Sequence, residues 1–79
     1  IQIKKDTQEL LKVHIKELPD LQREVLVMRH YMQMSFQEIA VATDVSINTA
    51  LGRMRYALIN LRKKFKQKTN AYDPKLYNK

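Results

Sequence analysis

The chain has 79 residues, a formal net charge of +7, one glycine and no cysteine. This length suits one domain with a small core. The lack of cysteine excludes disulfides and thiolate metal sites, as expected for a cytoplasmic protein. No stretch approaches the ~20 apolar residues of a membrane-spanning helix, so we expect no membrane association. Because the chain begins at Ile1 rather than Met, we expect it to be part of a longer protein.

The positive charge is concentrated in the C-terminal part of the chain. Residues 1–44 carry six Lys or Arg and seven Asp or Glu, whereas residues 45–79 carry nine basic residues and only Asp73. The two parts therefore contribute −1 and +8 to the total of +7. A basic segment of this kind indicates a partner that carries phosphates, such as nucleic acid, and a solvated basic tail is the alternative.

Two helices are predicted in the first part of the chain. Asp6 and Glu9 have the spacing of a capping box, so the first helix is expected to run from Asp6 to about Glu17. Pro19 suits the first turn of a second helix, which continues to about Tyr31.

The second helix carries more apolar side chains than one core contact requires. Leu26 and Val27 lie outside the stripe that is expected to face the core, and they form either a second core face or a docking surface for another protein. The stripe itself consists of Leu21, Val25, Met28 and Met32.

The segment from Ser35 to Lys64 predicts a helix-turn-helix. Ser35 and Glu38 form a second capping box, Asp44 suits the left-handed conformation of a sharp turn, and Ser46 then caps the last helix. In proteins that read DNA with this motif, the second helix lies in the major groove. Its inward face is predicted to consist of Ala50, Met54, Ala57, Leu58 and Leu61.

These elements predict an all-α fold, a compact four-helix domain with a C-terminal helix-turn-helix and no winged elements. We expect the domain to span residues 1–68, with the helix-turn-helix at about 35–64 and a flexible tail at 69–79. The tail is predicted because the periodicity decays after Lys64 and because Pro74 interrupts a simple helix.

No group of residues has the pattern of a catalytic or metal site. His14 and His30 stand alone on predicted helices, without carboxylates or cysteines at metal-ligand spacing. Phosphate-loop and serine-elbow motifs are missing from the sequence. We therefore expect no enzyme activity, no metal and no cofactor.

Four landmarks within residues 10–64 are specific in combination, although each is weak alone. They are Leu18-Pro19 with Gln22-Arg23-Glu24-Val25, Ser35-Phe36 with Glu38-Ile39-Ala40, Val45-Ser46 with Asn48-Thr49, and Arg53 with Ala57 and Leu61. In this combination the chain resembles region 4 of bacterial sigma-70 family sigma factors, especially the small extracytoplasmic-function type.

The resemblance implies a function in transcription initiation. The last helix would read the promoter −35 element, and the first two helices would help to dock on the β-flap of RNA polymerase. An anti-sigma factor is a further implied partner, and the domain is expected to be a monomer associated with the nucleoid. Relatives usually carry Lys or Arg and then Ser where this chain has Leu51 and Gly52, so their promoter preference does not transfer.

The predicted DNA-binding residues lie at the start of the last helix. Asn48 and Thr49 in its first turn suit adenine and the thymine methyl group, and Arg53 and Arg55 suit phosphates on the two flanks. Gly52 is costly inside a helix, which indicates either close approach of the backbone to DNA or a tolerated poor helix former. The full set is Ser46, Asn48, Thr49, Leu51, Gly52, Arg53, Arg55 and Tyr56.

Two other classes of function remain open at this point. A response regulator of the LuxR type ends in a similar four-helix domain, although Leu18-Pro19 and the spacing of Arg53, Ala57 and Leu61 argue against it. A sigma-like protein-interaction module that has lost DNA binding is the second alternative, given Leu51 and Gly52. Affinity for duplex DNA separates that module from both DNA readers.

Overall fold

Four helices joined by short turns make up the fold. The computed structural model describes the backbone of residues 5–72 and the side chains of residues 8–66. The helices are α1 (Lys5–Lys16), α2 (Asp20–His30), α3 (Phe36–Thr43) and α4 (Ile47–Tyr72), and no strand occurs between residues 5 and 72. The predicted all-α, four-helix fold with a C-terminal helix-turn-helix is therefore confirmed.

The first two helices begin differently from the prediction. Helix α1 already includes Lys5, so Asp6 lies inside the helix and is not its N-cap. Pro19 is the N-cap of α2 rather than a residue of its first turn. Both differences are small shifts at a helix start, where local rules leave more than one choice.

Arg23 holds the corner between α1 and α2. Its guanidinium donates hydrogen bonds to the carbonyl oxygens of Lys16 and Leu18, at 3.1 and 3.3 Å, and it also pairs with the carboxylate of Asp20. Because the last carbonyls of a helix have no partner within it, this side chain satisfies groups that the end of α1 leaves open.

Helix α2 packs between two apolar clusters. Val25 is buried in one cluster and Leu26 in the other, so the helix contributes to the core on two sides. The first cluster consists of Ile15, Leu18, Leu26, Ala57 and Leu61, and the second of Val25, Ile39, Ala40 and Ala50. Val27 packs against the first cluster. Leu26 and Val27 therefore form a second core face, as the first of the two interpretations predicted.

The ends of the predicted stripe on α2 do not reach the core. Leu21 and Met32 are exposed, whereas Val25 is buried and Met28 packs against its cluster. Leu21 lies in the first turn of α2, and Met32 follows the end of the helix. The prediction was wrong for these two residues because the neighbouring helices cover only the middle of α2.

Helix α4 differs from the prediction in length and in one core residue. It continues past Lys64 to Tyr72, because residues 65–72 contain no glycine or proline to stop it. Leu58 was expected to face inward, yet it is 50% exposed. It lies about 100° around the helix from Ala57, beyond the edge of the buried arc. Of the predicted tail, residues 73–79 lie outside the described residues, and the limits of the domain stay a prediction.

None of the helices within residues 5–72 is long and apolar enough to cross a membrane.

Candidate nucleic-acid interface

The turn between α3 and α4 fixes the direction in which α4 leaves the core. Asp44 adopts the left-handed conformation with φ 57°, and its N–H donates to the carbonyls at the end of α3. The N–H of Val45 donates to the carbonyl of Ala40 at 3.0 Å, and Val45 packs against the second cluster. These bonds and this contact have the pattern that commonly ends helices, with aspartate in the place usually taken by glycine. The predicted turn is confirmed.

Ser46 caps the start of α4, as predicted. The N–H of Thr49 donates to Ser46 Oγ at 3.1 Å, and Ser46 Oγ donates to Thr49 Oγ1 at 2.9 Å. The first bond satisfies an amide that would otherwise lack a partner at the helix start. The two side chains thereby hold the first turn of α4 in one conformation.

A matching cap fixes the start of α3. The N–H of Glu38 donates to Ser35 Oγ at 3.0 Å, and the N–H of Ser35 donates to Glu38 Oε1 at 2.8 Å. Hydrogen bonds from the backbone and the side chain of Ser35 to the carboxylate hold the pKa of the Glu38 carboxyl below its ordinary value. Glu38 forms no ion pair with Arg53 or with any other basic side chain that the structure describes.

The buried face of α4 determines which of its side chains remain available. Ala50, Ala57 and Leu61 are buried, and the small Ala50 shares a cluster with Ala40 of α3, as close crossing of the two helices requires. The structure places the predicted site residues on the rest of the helix surface and around its start. The exposed members are Ser46, Asn48, Thr49, Leu51, Arg55 and Tyr56, and the half-buried members are Gly52 and Arg53.

Arg53 and Arg55 lie on opposite sides of this surface. Residues that are two positions apart in an α-helix are separated by about 200° around its axis. Arg53 lines a groove between α4 and the start of α2, together with Leu21 and Tyr56. Arg55 lines a second groove, between α4 and the start of α3, together with Phe36. Neither arginine forms an ion pair with any side chain that the structure describes, so both charges are available to a ligand.

One basic residue of α4 has a role within the fold instead. Lys64 Nζ lies 3.3 Å from Glu17 Oε1, and His14 Nδ1 lies 3.2 Å from the same oxygen. The hydrogen bond with His14, and then the bond and charge of Lys64, lower the pKa of the Glu17 carboxyl. The His14 ring also makes an edge contact with Phe65, at 5.1 Å between ring centroids. This group joins the end of α1 to α4.

Gly52 leaves open space on the surface of α4. A Cβ atom placed on it would meet no heavy atom within 4 Å, and its φ is not positive. Neither packing within the protein nor backbone conformation therefore requires glycine at this position.

Sequence reasoning missed one member of this surface. Ile47, the first residue of α4, is 41% exposed and lies one turn before Leu51, which is 43% exposed. The local sequence does not show whether an apolar residue at a helix start is exposed, because the packing of α3 against α4 decides its exposure.

The site contains no arrangement typical of metal binding. Among the described residues, no three His, Cys, Asp or Glu side chains lie close enough together to hold a metal ion. Its chemistry is that of a convex helix surface with uncharged side chains at its start and an arginine on each side.

Comparison with known proteins gives one result. The sequence matches the family model described as "Sigma-70, region 4" over residues 8–58. The match includes α3, the turn and all eight predicted site residues. No significant match was found among curated proteins or among solved structures.

Proposed function

Because the chain belongs to the sigma-70 region 4 family, which has a DNA-binding role in sigma factors, we propose that it recognises the promoter −35 element and docks on the β-flap of RNA polymerase. The same family membership supports the sigma interpretation over the response-regulator alternative. The family is not enzymatic, and we propose that this chain has no enzyme activity.

The observation that carries the DNA proposal is the division of the α4 surface. Its first turn exposes Asn48 and Thr49. Arg53 and Arg55 line separate grooves on the two sides of the helix and have no ion-pair partner among the described side chains. A helix in the major groove faces base edges with one side and has a phosphate chain on each flank. The surface of α4 fits that geometry.

The caps on α3 and α4 support the same proposal. Base readout depends on the orientation of a few side chains, and Ser46 and Thr49 fix the first turn through their hydrogen bonds. The amides at the start of α4 also favour negative groups such as phosphate through the helix dipole.

The test is binding of the chain to labelled promoter duplexes at low ionic strength, measured by fluorescence anisotropy. We expect Asn48→Ala to weaken binding to duplexes with an intact −35 element more than to duplexes in which that element is scrambled. Lys12→Ala, a charge change at an exposed position of α1, is the control and should leave this difference in binding unchanged. A folded chain without affinity for any duplex would instead support the protein-interaction module.

Docking on the polymerase is proposed for the half of the domain formed by α1 and α2. Helix α2 carries more apolar residues than one core contact requires, but Leu26 and Val27 pack in the core. The exposed apolar side chains that remain on this half, and that do not line the groove beside Arg53, are Val13, Tyr31 and Met32. An isolated flap-tip peptide should shift amide signals of residues 11–32 more than those of residues 47–59. An NMR titration that moved only the latter would contradict this proposal.

We also propose that the domain acts as a monomer in the cytoplasm, associated with the nucleoid. An anti-sigma factor that covers the exposed surface of α4 would prevent DNA binding, because that surface carries the predicted contacts.

A further inference from the structure

The first turns of α4 expose apolar and amide groups but no basic side chain. Residues 46–52 contain neither Lys nor Arg, and Ile47 and Leu51 are 41% and 43% exposed. We propose that this surface reads an A·T-rich duplex, with Leu51 contacting the methyl groups of thymines and Asn48 pairing with adenine. This inference rests on the proposed function, in which α4 lies in the major groove.

Guanine recognition is disfavoured by the positions of the nearest arginines. Guanine is read in the major groove mainly by a bidentate Arg or Lys. Arg53 is half-buried in the groove beside α2, and Arg55 lies at the opposite groove beside Phe36. Arg53 therefore lies towards a flank, where phosphates run. Arg55 lines the same groove as Leu51 but one turn further along α4, so residues 46–52 lie nearest to bases that contact the start of the helix.

Thymine recognition follows from an apolar strip along one side of the helix start. Residues four apart on a helix are neighbours, so Ile47 and Leu51 form a continuous strip. The C5-methyl group of thymine is the one apolar group of the four standard bases in the major groove, and it suits such a strip. Contact would remove apolar surface of both partners from water.

The side chain of Thr49 is oriented by a hydrogen bond within the cap. Thr49 Oγ1 accepts a hydrogen bond from Ser46 Oγ at 2.9 Å, so the hydroxyl is engaged in the cap. The Thr49 hydroxyl is thus held in place by the cap, and the methyl group is the apolar part of this side chain. The amide of Asn48 makes no hydrogen bond with the described residues, and it has the donor and acceptor pair that adenine requires.

Gly52 provides room beside Asn48. It lies one turn after Asn48 on the same side of α4, and no heavy atom lies within 4 Å of the position that a Cβ would occupy. A base edge can therefore approach the helix backbone there more closely than it could beside any other residue type.

The first test is selection of duplexes from a random-sequence pool by the 79-residue chain at low ionic strength. We expect the selected duplexes to share an A·T-rich segment. Replacing each thymine of that segment by deoxyuridine removes one methyl group, and at each contacted position the affinity should fall about fourfold. Selection of a G·C-rich segment, or equal affinity for thymine and deoxyuridine duplexes, would overturn this inference while leaving the proposed function intact.

Variants then assign the methyl contact to Leu51. Leu51→Ala should bind thymine and deoxyuridine duplexes with equal affinity. Val13→Ala, which shortens a 50% exposed apolar side chain on α1, should keep the wild-type difference. A Leu51→Ala variant that still prefers thymine would overturn the assignment to Leu51. If the folded chain bound no duplex, the proposed function would fail, and this inference with it.

Discussion

Asn60 of α4 donates a hydrogen bond of 2.7 Å to the side-chain carbonyl of Gln22 in α2. Both side chains are half-buried, and the bond lies on the same flank of α4 as Arg53 and Tyr56. It therefore restrains rotation of α4 about its own axis. That rotation determines which side chains of the helix face outward.

The two amides should be energetically coupled. Gln22→Ala and Asn60→Ala should each lower the free energy of unfolding by about 1 kcal/mol, because a half-buried hydrogen bond is lost. The double variant should lose less than the sum of the two, with a coupling of about 0.5–1.5 kcal/mol in a denaturation cycle. The control pairs Gln22→Ala with Gln37→Ala, at an exposed position of α3, and the effects of these two substitutions on the free energy of unfolding should be additive. Additivity in the first cycle would show that the bond adds nothing to stability.

Substitution by glycine should have opposite effects on the free energy of unfolding at Gln33 and Gln37. Gln33 has φ 56°, a left-handed conformation that costs a residue with a side chain about 1–2 kcal/mol. After the entropy cost of glycine, Gln33→Gly should still raise the free energy of unfolding by about 0.5 kcal/mol. Gln37 is exposed within α3, so Gln37→Gly should lower it by about 1 kcal/mol. Chemical denaturation of both variants measures the difference, and the same sign at both positions would contradict the explanation.

Stability should depend on pH through Glu17. Its pKa in the folded protein lies below the ordinary value of 4.5, because His14 and Lys64 bond to the carboxylate. The charged form thus stabilises the fold above about pH 4.5, and this contribution disappears as the pH falls through the lowered pKa. Glu17→Gln should therefore unfold at a lower temperature than the wild type near neutral pH, and the gap should narrow in acid.

The control for this effect is Glu24→Gln, an equal charge change at an exposed position of α2. Glu24 has no ion-pair partner among the described side chains, so its variant should not show a gap that closes in acid. A gap for Glu17→Gln that stayed constant from neutral pH to pH 3 would contradict the role of its carboxylate.

Phosphate contact by the two arginines should appear in the salt dependence of DNA binding. Each neutralised phosphate contributes about 0.9 to the log–log slope of affinity against salt. Arg53→Ala and Arg55→Ala should each weaken binding to all duplexes and make the slope shallower by about one. Lys12→Ala, an equal charge change on α1, should leave the slope unchanged. An unchanged slope for either arginine variant would count against its phosphate role.

Gly52→Ala separates stability from recognition. The structure has room for the added methyl group, so helix propensity should raise the free energy of unfolding by about 1 kcal/mol. If DNA approaches the backbone closely at this point, the same variant should bind its preferred duplex more weakly. Denaturation and anisotropy measurements on one preparation give both values. Equal or tighter binding would exclude close approach at Gly52.

The features that could be predicted from the sequence are those set by short-range rules. The cap formed by Ser35 and Glu38, the left-handed turn at Asp44 and the cap at Ser46 each involve residues at most five positions apart. Side-chain chemistry and backbone sterics within such a span decide the outcome. For this reason the helix-turn-helix was predicted correctly.

The features that could not be predicted depend on how helices pack together. Leu58 has the spacing of a core residue, but it lines the open groove beside Phe36 and is 50% exposed. The contact of Lys64 with Glu17 joins residues that are far apart in the sequence and have no local signal. Exposure of Ile47 likewise follows from the packing of α3 against α4. The contacts of the eight predicted site residues with DNA remain a prediction.

Met54 packs against both apolar clusters and also lines the groove beside Phe36. This half-buried side chain therefore lies between the two parts of the core and at the surface of α4. Conversion to the sulfoxide makes a flexible apolar side chain polar. Oxidation of Met54 should consequently weaken the packing of both clusters, in addition to any effect of oxidising the exposed Met32. One oxidisable side chain thus links both parts of the core to the helix surface.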